Sequence, residues 1–288
     1  MGKIVDFQCT YDNAVGISGA VTEKLNLTFP DAYLHWDTMA KIALEIKRQE
    51  DVCFCELPFC HTLEAEAMGG IVNLGDALTG PRAKEYICET PEDILALPEI
   101  DYEKGRISET LKACKYLREQ GENVVLLISG PFTILNVLMD ARLVFRFMRK
   151  TPDKMQQVFD KFAEELLRFI EKAVDNQVNI ISYADSSGGL NIIGPKNTEY
   201  MMENFTYPFL ERAEKIVAGK AQIFLCPKIS FALLGTEKMR WKDIPVEESM
   251  RYVDAALSVK EQAPIVGQMC IKNTGFRVQK EIKAVELV

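Results

Sequence analysis

Residues 123–133 read NVVLLISGPFT, and the unbroken apolar run from Val124 to Ile128 decides the fold class. A strand with one face in water alternates apolar and polar side chains, whereas a strand in a parallel sheet covered on both faces is apolar throughout. Ser129-Gly130-Pro131 then ends the run with turn residues. Comparable short runs lie on either side: KIVDFQC (3–9), VCFCELPF (52–59), NIISYA (179–184), AQIFLC (221–226) and PIVGQMCI (264–271). Helical patterns fill the intervals. Residues 37–48 put Met39, Ile42, Ala43 and Ile46 on one stripe, and residues 109–120 follow the same logic. Residues 152–176 set Val158, Phe162, Leu166, Ile170 and Val174 at four-residue steps behind Pro152, which suits a first helical turn. Residues 198–218 and 247–260 predict two further helices. This alternation predicts an α/β fold, either a (β/α)8 barrel or an open doubly wound sheet. No GxGxxG follows the first run, which counts against a dinucleotide-binding open sheet. No repeat, low-complexity tract or linker divides the chain, so residues 1–288 are expected to form a single domain.

The 288 residues include 34 basic and 42 acidic side chains, a net charge of −8. Nucleic-acid binding needs a basic face to displace counterions, so an acidic chain is a poor candidate. With 48% hydrophobic and 26% charged residues, the composition excludes a disordered chain. No apolar run approaches the ~18 residues of a spanning helix. The opening MGKIVDFQCT lacks the layout of a secretion signal. The expectation is a cytoplasmic protein with no membrane or nucleic-acid partner, its eight cysteines held as thiols. Histidine occurs only as His35 and His61, which rules out a His-rich metal site.

Polar and turn residues gather just after several strand candidates: PFCHTLEAEAMGG, GPFT, DSSGG, CPK and CIKN. In a barrel these segments meet at the C-terminal mouth, where active sites are built. Cys226 and Cys270 each end a strand candidate. They are either two unrelated thiols or, with one or two N/O donors, a Zn²⁺ site that keeps a position for substrate. His61 is a candidate general acid, metal ligand or hydrogen-bond donor, or else a capping imidazole, and His35 reads as structural. Glu64 and Glu66 fall in a short helix, residues 62–68, with Thr62 as its expected cap. They could equally position a substrate or a ligand water. Asp185, ahead of Ser186-Ser187-Gly188-Gly189, either caps the next turn or acts at the mouth.

These segments resemble the uroporphyrinogen decarboxylase superfamily, and more closely its corrinoid-dependent methyltransferase branch, typified by methylcobalamin:coenzyme M methyltransferases. The resemblance is carried by FPDA (29–32) with His35 and Met39, by PFCHTLEAEAMG (58–69), by GPFT (130–133), by Ala184-Asp185-Ser186 with Gly194-Pro195, by Tyr207-Pro208 and by residues 267–271. It implies a TIM (β/α)8-type barrel and a mouth in which His61, Glu66 and Asp185 act in catalysis. Glu64, Phe132, Ser186 and Phe224 would then contact substrate. The branch binds zinc through His-x-Cys and a distant Cys, which maps onto Cys226 and Cys270. Phe224 occupies the His position, so a third ligand would come from Glu248, His61 or another mouth residue. The stretch between the cysteines is shorter than in the family by about one strand–helix unit, which implies a barrel shortened near its C-terminus. The Arg-rich N-terminal signature of the decarboxylases is missing.

The activity this implies is methyl transfer between a corrinoid on a partner protein and a small molecule, a thiol or a methylated donor, assisted by zinc. Two other readings remain at this point. One is a metal-free barrel that binds a ligand or a corrinoid protein. The other is a decarboxylase for a different carboxylate.

Overall fold

The computed structural model describes residues 4–9 and 16–288. Helices α1 (Gly19–Leu25) and α2 (Trp36–Glu50) lead into β1 (Phe54–Leu57) and the short α3 (Leu63–Ala67). A small hairpin, β2 (Ile71–Asn73) and β3 (Arg82–Glu85), is followed by α4 (Pro91–Ala96) and α5 (Gly105–Glu119). The decisive run forms β4 (Asn123–Ser129), followed by α6 (Pro131–Leu138), α7 (Ala141–Lys150) and the long α8 (Pro152–Asp175). Next come β5 (Ile180–Ala184), α9 (Leu190–Met201), a π-helical turn (Met202–Thr206), α10 (Tyr207–Val217), β6 (Gln222–Leu225) and α11 (Pro227–Gly235). The last quarter holds β7 (Met239–Pro245), β8 (Met250–Arg251), α12 (Tyr252–Ser258), β9 (Ile265–Val266), β10 (Arg277–Val278) and β11 (Glu281–Leu287).

The architecture is that of a (β/α)8-type barrel with a rebuilt C-terminal part. Strands β1, β4, β5, β6 and β9 pair in parallel, in that order. Beyond β9 the pattern changes: β11 runs antiparallel to β9 and, over seven residues, antiparallel to β7. Among the described residues β1 and β7 are the edges of this seven-stranded sheet. An antiparallel ribbon thus stands where a regular barrel would continue with strand–helix units, which accounts for the short spacing between Cys226 and Cys270.

The apolar runs conceal a period of two that the fold uses, because successive side chains of a strand point to opposite faces. Cys55 and Leu57, Val124, Leu126 and Ile128, Ile181 and Tyr183, and Ile223 and Leu225 join one core with the covering helices. The alternate set, Phe54, Val125, Leu127, Ile180, Phe224 and Val266, joins a second core with Tyr252, Ala255 and Ala256 of α12 and with β11. Gln222 anchors that helix, donating from Nε2 to the carbonyls of Ala256 at 3.1 Å and Ala263 at 2.7 Å. Each strand therefore has to be apolar on both faces, as read from NVVLLIS.

Several expectations change. Ile4–Cys9 carries no strand, and Lys3 lies outside the described residues. Those residues run along α11 without a backbone ladder. The run at 264–271 keeps only Ile265–Val266 as strand, because Gly267 and the turn residues after it leave the sheet. The helix expected at 198–218 begins at Leu190, breaks at Gly194, where φ is +76°, and passes through the π turn. The helix expected at 247–260 is confined to Tyr252–Ser258. Among the described residues no helix is long and apolar enough to cross a membrane.

Candidate active site

Neighbouring parallel strands place their C-terminal ends on one side of a sheet. Phe224 on β6 is in register with Val266 on β9. Cys226 follows Phe224 by two residues and Cys270 follows Val266 by four, so both thiols arrive at the same end. Ser230 on α11 locks the two elements together by donating to the Gly267 carbonyl at 2.6 Å. Gly267 eases this close approach, since a Cβ would sit 3.0 Å from the side chains of Leu225 and Ser230 and force them to shift. Cys226 and Cys270 line a cavity of about 260 Å³ together with Cys9, His61, Ser186 and Phe224.

Burial pushes the Cys226 thiol up to about 12 and raises that of Cys270. Both are therefore protonated at neutral pH unless a cation binds them. In each case the residue two positions on is a lysine that opposes the shift, Lys228 for Cys226 and Lys272 for Cys270, through a backbone hydrogen bond and its charge. Both lysines line the same cavity. The Cys-x-Lys pair at 226–228 and 270–272 is visible in the sequence as CPK and CIK, although the cysteines alone suggest chemistry there.

His61 is the hinge between this cavity and a second one of about 300 Å³, which also reaches Glu50, Glu56 and Lys272. Lys272 donates to Glu56 at 2.8 Å, and that carboxylate holds its ammonium in the charged form. The His61 Nδ1 is buried without a hydrogen-bond partner. Burial first, and the Lys272 charge second, lower its pKa to about 4, so the imidazole is neutral at pH 7. A neutral ring suits hydrogen bonding or metal ligation better than general acid catalysis.

The carboxylates singled out in the sequence are held elsewhere. Glu64 is buried and accepts from the Ser129 N–H at 2.7 Å; burial raises its pKa. Glu66 pairs with Arg106, whose Nε donates to it at 2.9 Å. Arg106 also donates to the Cys60 sulfur at 3.0 Å and to the Thr62 hydroxyl at 2.9 Å. Thr62 is thus a partner of Arg106 and makes no side-chain cap on α3. Asp185 caps α6, a helix from another part of the chain: it accepts from the N–H groups of Phe132 at 3.2 Å and Thr133 at 2.8 Å and from the Thr133 hydroxyl at 2.8 Å. Burial still lifts its pKa to about 6. Gly130 and Gly188 make room for it, since a Cβ on either would come within 2.4 Å of the Asp185 side chain.

Of the ten residues nominated from sequence, the structure brings His61, Ser186, Phe224, Cys226 and Cys270 to one cavity. Phe132 packs in the core against Phe145 and Phe159 and meets Asp185 beside a void of about 20 Å³. Neither Glu64 nor Glu66 lines the thiol cavity. Glu248 is exposed in the bend between β7 and β8 and does not line the thiol cavity, so the structure does not bring it to Cys226 and Cys270 as a third ligand. Sequence reasoning missed Arg106, Lys228, Lys272 and Cys9. Among the described residues no three His, Cys, Asp or Glu side chains form a ready-assembled metal cage. The donor chemistry still suits a borderline-soft ion, since thiols and an orphaned imidazole nitrogen share one cavity.

Fold and cavity together define an α/β barrel-type protein whose candidate site lies beyond the C-terminal ends of its parallel strands. The uroporphyrinogen decarboxylase (URO-D) family model matches residues 18–284, and the chain belongs to that family. Within it the similarity is to the methyltransferase branch. A methylcobamide:CoM methyltransferase MtaA from Methanosarcina barkeri is 22% identical over 254 residues, 86% of this chain and 73% of that protein. A methylcobamide:CoM methyltransferase MtbA from Methanosarcina mazei is 23% identical over 84% of this chain and 71% of its own length. A solved methyltransferase from Methanosarcina mazei superposes with a TM-score of 0.64 at 20% identity, covering 77% of this chain and 70% of that one.

Proposed function

We propose that this protein is a methyltransferase that moves a methyl group between a corrinoid carried by a partner protein and a small molecule, with zinc held at Cys226 and Cys270. The observation that carries the reading is the convergence of these two thiols, from neighbouring strand ends, on an open cavity in a chain of this family. Bound zinc would lower the pKa of a coordinated thiol and make it a nucleophile at neutral pH.

The chain's own residues do the positioning. Cys226 and Cys270 supply sulfur donors to the metal. Phe224, buried and edge-on to Tyr252, gives the cavity an apolar wall. His61 offers an uncharged ring nitrogen that hydrogen-bonds to substrate and moves no net charge. Lys228 gives the cavity a positive charge, the Lys272 charge being met by Glu56, and this favours a substrate with an anionic end. Most of the rate enhancement in this scheme comes from holding methyl donor and acceptor in line.

The test is the cobalt absorption spectrum of a methylated corrinoid incubated with protein and candidate thiols, and of reduced corrinoid with candidate methyl donors. A spectral change that needs the protein and is lost in Cys226→Ala/Cys270→Ala is expected. No change with any combination overturns the reading. One observation favours a second reading, a metal-free binding barrel: Phe224 offers no ligand, and among the described residues no cage is preassembled. Metal analysis of protein purified without chelator separates the two. Decarboxylation draws no support from Asp185, whose carboxylate is committed to the α6 N-terminus.

A further inference from the structure

A separate cleft of about 620 Å³ opens between α7, the start of α8 and α9. It shares no lining residue with the thiol cavity. We propose that this cleft binds a small amphipathic anion, with an apolar body of about eight to twelve carbons and one carboxylate, sulfonate or phosphate group, a size that suits a pocket of this volume. The proposal does not depend on methyl transfer, since no residue used in that reading takes part.

The cleft begins with an amphipathic helix. Residues 141–150 read ARLVFRFMRK, in which four basic side chains share α7 with five large apolar ones. Only Val144 of these is buried. Phe145 and Met148 line the cleft, and Phe145 stacks on Phe132 at 6.3 Å between centroids, which anchors this wall to the core. On the other side, Gly194 breaks α9 with φ +76°, so the turn before it is not continuous with the helix after it. Ile193 is buried there, whereas Ile192 lines the cleft and stays 49% exposed. Apolar surface left in water around a hollow of ligand size is surface that an occupant would cover.

The polar groups select the charge of that occupant. Asn197 donates to the Ile193 carbonyl at 2.8 Å, and the Tyr200 hydroxyl donates to Gln156 at 2.6 Å, so the neutral polar side chains of the cleft have partners. Elsewhere on α7, Arg142 pairs with Asp140 at 2.7 Å, and Arg146 lies over the Phe147 ring at 5.8 Å. Arg149 and Lys196 line the cleft from its two walls, and neither has an ion-pair or hydrogen-bond partner among the described residues. Burial first, and the charges of Asp160 and Asp153 next, raise the Tyr200 pKa, yet neither carboxylate lines the cleft. Two unmatched cations beside an apolar hollow, in a chain of net charge −8, complement an anion with an apolar body. The Arg149 guanidinium can hold a carboxylate or phosphate through two parallel N–H bonds.

The experiment uses the full chain with decanoate, titrated by calorimetry, and with anilinonaphthalene sulfonate, read by its fluorescence. Decanoate should saturate a single site and displace the fluorophore from it. Octanoate should bind about tenfold more weakly, the effect of two fewer buried methylenes. Decanol and decyltrimethylammonium should bind at least about tenfold more weakly, because neither offers the cations a charged acceptor. Arg149→Gln/Lys196→Gln should weaken decanoate binding by at least about tenfold. Ile192→Asp, which sets a carboxylate on the exposed wall, should do the same. All three positions are exposed, so both variants should keep the far-UV circular dichroism and thermal midpoint of the wild type. Equal affinity in the variants, or equal affinity for decanol, overturns the proposal, as does a wild type that binds no decanoate at millimolar concentration. A dimer in sedimentation that Ile192→Asp separates, with no decanoate bound, overturns it in favour of a second copy of the chain as the occupant.

Discussion

On the β1–β4 side of the mouth, Glu64, Glu66 and Asp185 are all engaged by the protein itself: by the Ser129 N–H, by Arg106, and by the first turn of α6. On the β6–β9 side, Cys226 and Cys270 face a cavity, and burial keeps them as thiols. Both sides come from segments that follow strands, and in the sequence both look equally suited to chemistry. Their difference teaches that a chemical side chain at a strand end is available to a ligand only if no backbone N–H or buried counter-charge has claimed it. The carboxylate side holds the mouth together, and the thiol side is left to do chemistry.

That contrast can be broken most directly at Arg106, whose side chain is only 3% exposed and serves Cys60, Thr62 and Glu66 at once. Arg106→Leu should lower unfolding free energy by about 3–5 kcal/mol, the cost of stranding a partner of a buried pair. Urea denaturation measures it; a loss below about 1 kcal/mol would mean the cluster is not structural.

A smaller effect, of opposite sign at two residues, lies in the pH dependence. Asp185 has its pKa raised to about 6, so the folded state binds more protons between about pH 4 and 6, and this group's stabilisation falls as pH rises through that window. His61 has its pKa lowered to about 4, so the unfolded state binds more protons between 4 and 6.5, and its stabilisation rises with pH. Relative to wild type, Asp185→Asn should gain stability from pH 4 to 6.5 and His61→Ala should lose it. Each change is on the order of 2 kcal/mol, since a tenfold difference in proton affinity between folded and unfolded states is worth about 1.4 kcal/mol. Urea midpoints at the two pH values give the slopes, and slopes of the same sign would contradict the assigned environments.

The smallest change in stability is expected on the thiol side. Compared metal-free, Cys226→Ala/Cys270→Ala should differ from wild type in unfolding free energy by about 1 kcal/mol or less per site, and only the wild type should gain stability when zinc is added. If the double variant unfolds instead, these thiols are part of the core and the contrast fails.

How much of this was legible follows from the same distinction. The parallel sheet was readable because Val124–Ile128 and its counterparts had to satisfy two cores at once, which leaves an unmistakable apolar run. The meeting of Cys226 and Cys270 was readable because strand ends converge by topology. The antiparallel ribbon was not, since β7 exposes most of its side chains and charged residues interrupt β11, so neither carries such a run. The fate of the carboxylates was hidden too. Whether Glu66 faces a ligand or Arg106 depends on a residue 40 positions away. Cys9 was misread with its neighbours as a first strand because KIVDFQC has strand composition, whereas the backbone finds α11 and no ladder to join.

The cavity has one further consequence, which concerns time. Its wall combines Cys9, His61, Ser186, Cys226 and Cys270, so it draws on nearly the whole length of the polypeptide. Contacts this distant in sequence form late in folding, after local helices and neighbouring strands. A half-synthesised chain therefore contains neither Cys226 nor Cys270, so the thiol pocket cannot exist until the C-terminal part of the polypeptide has been made.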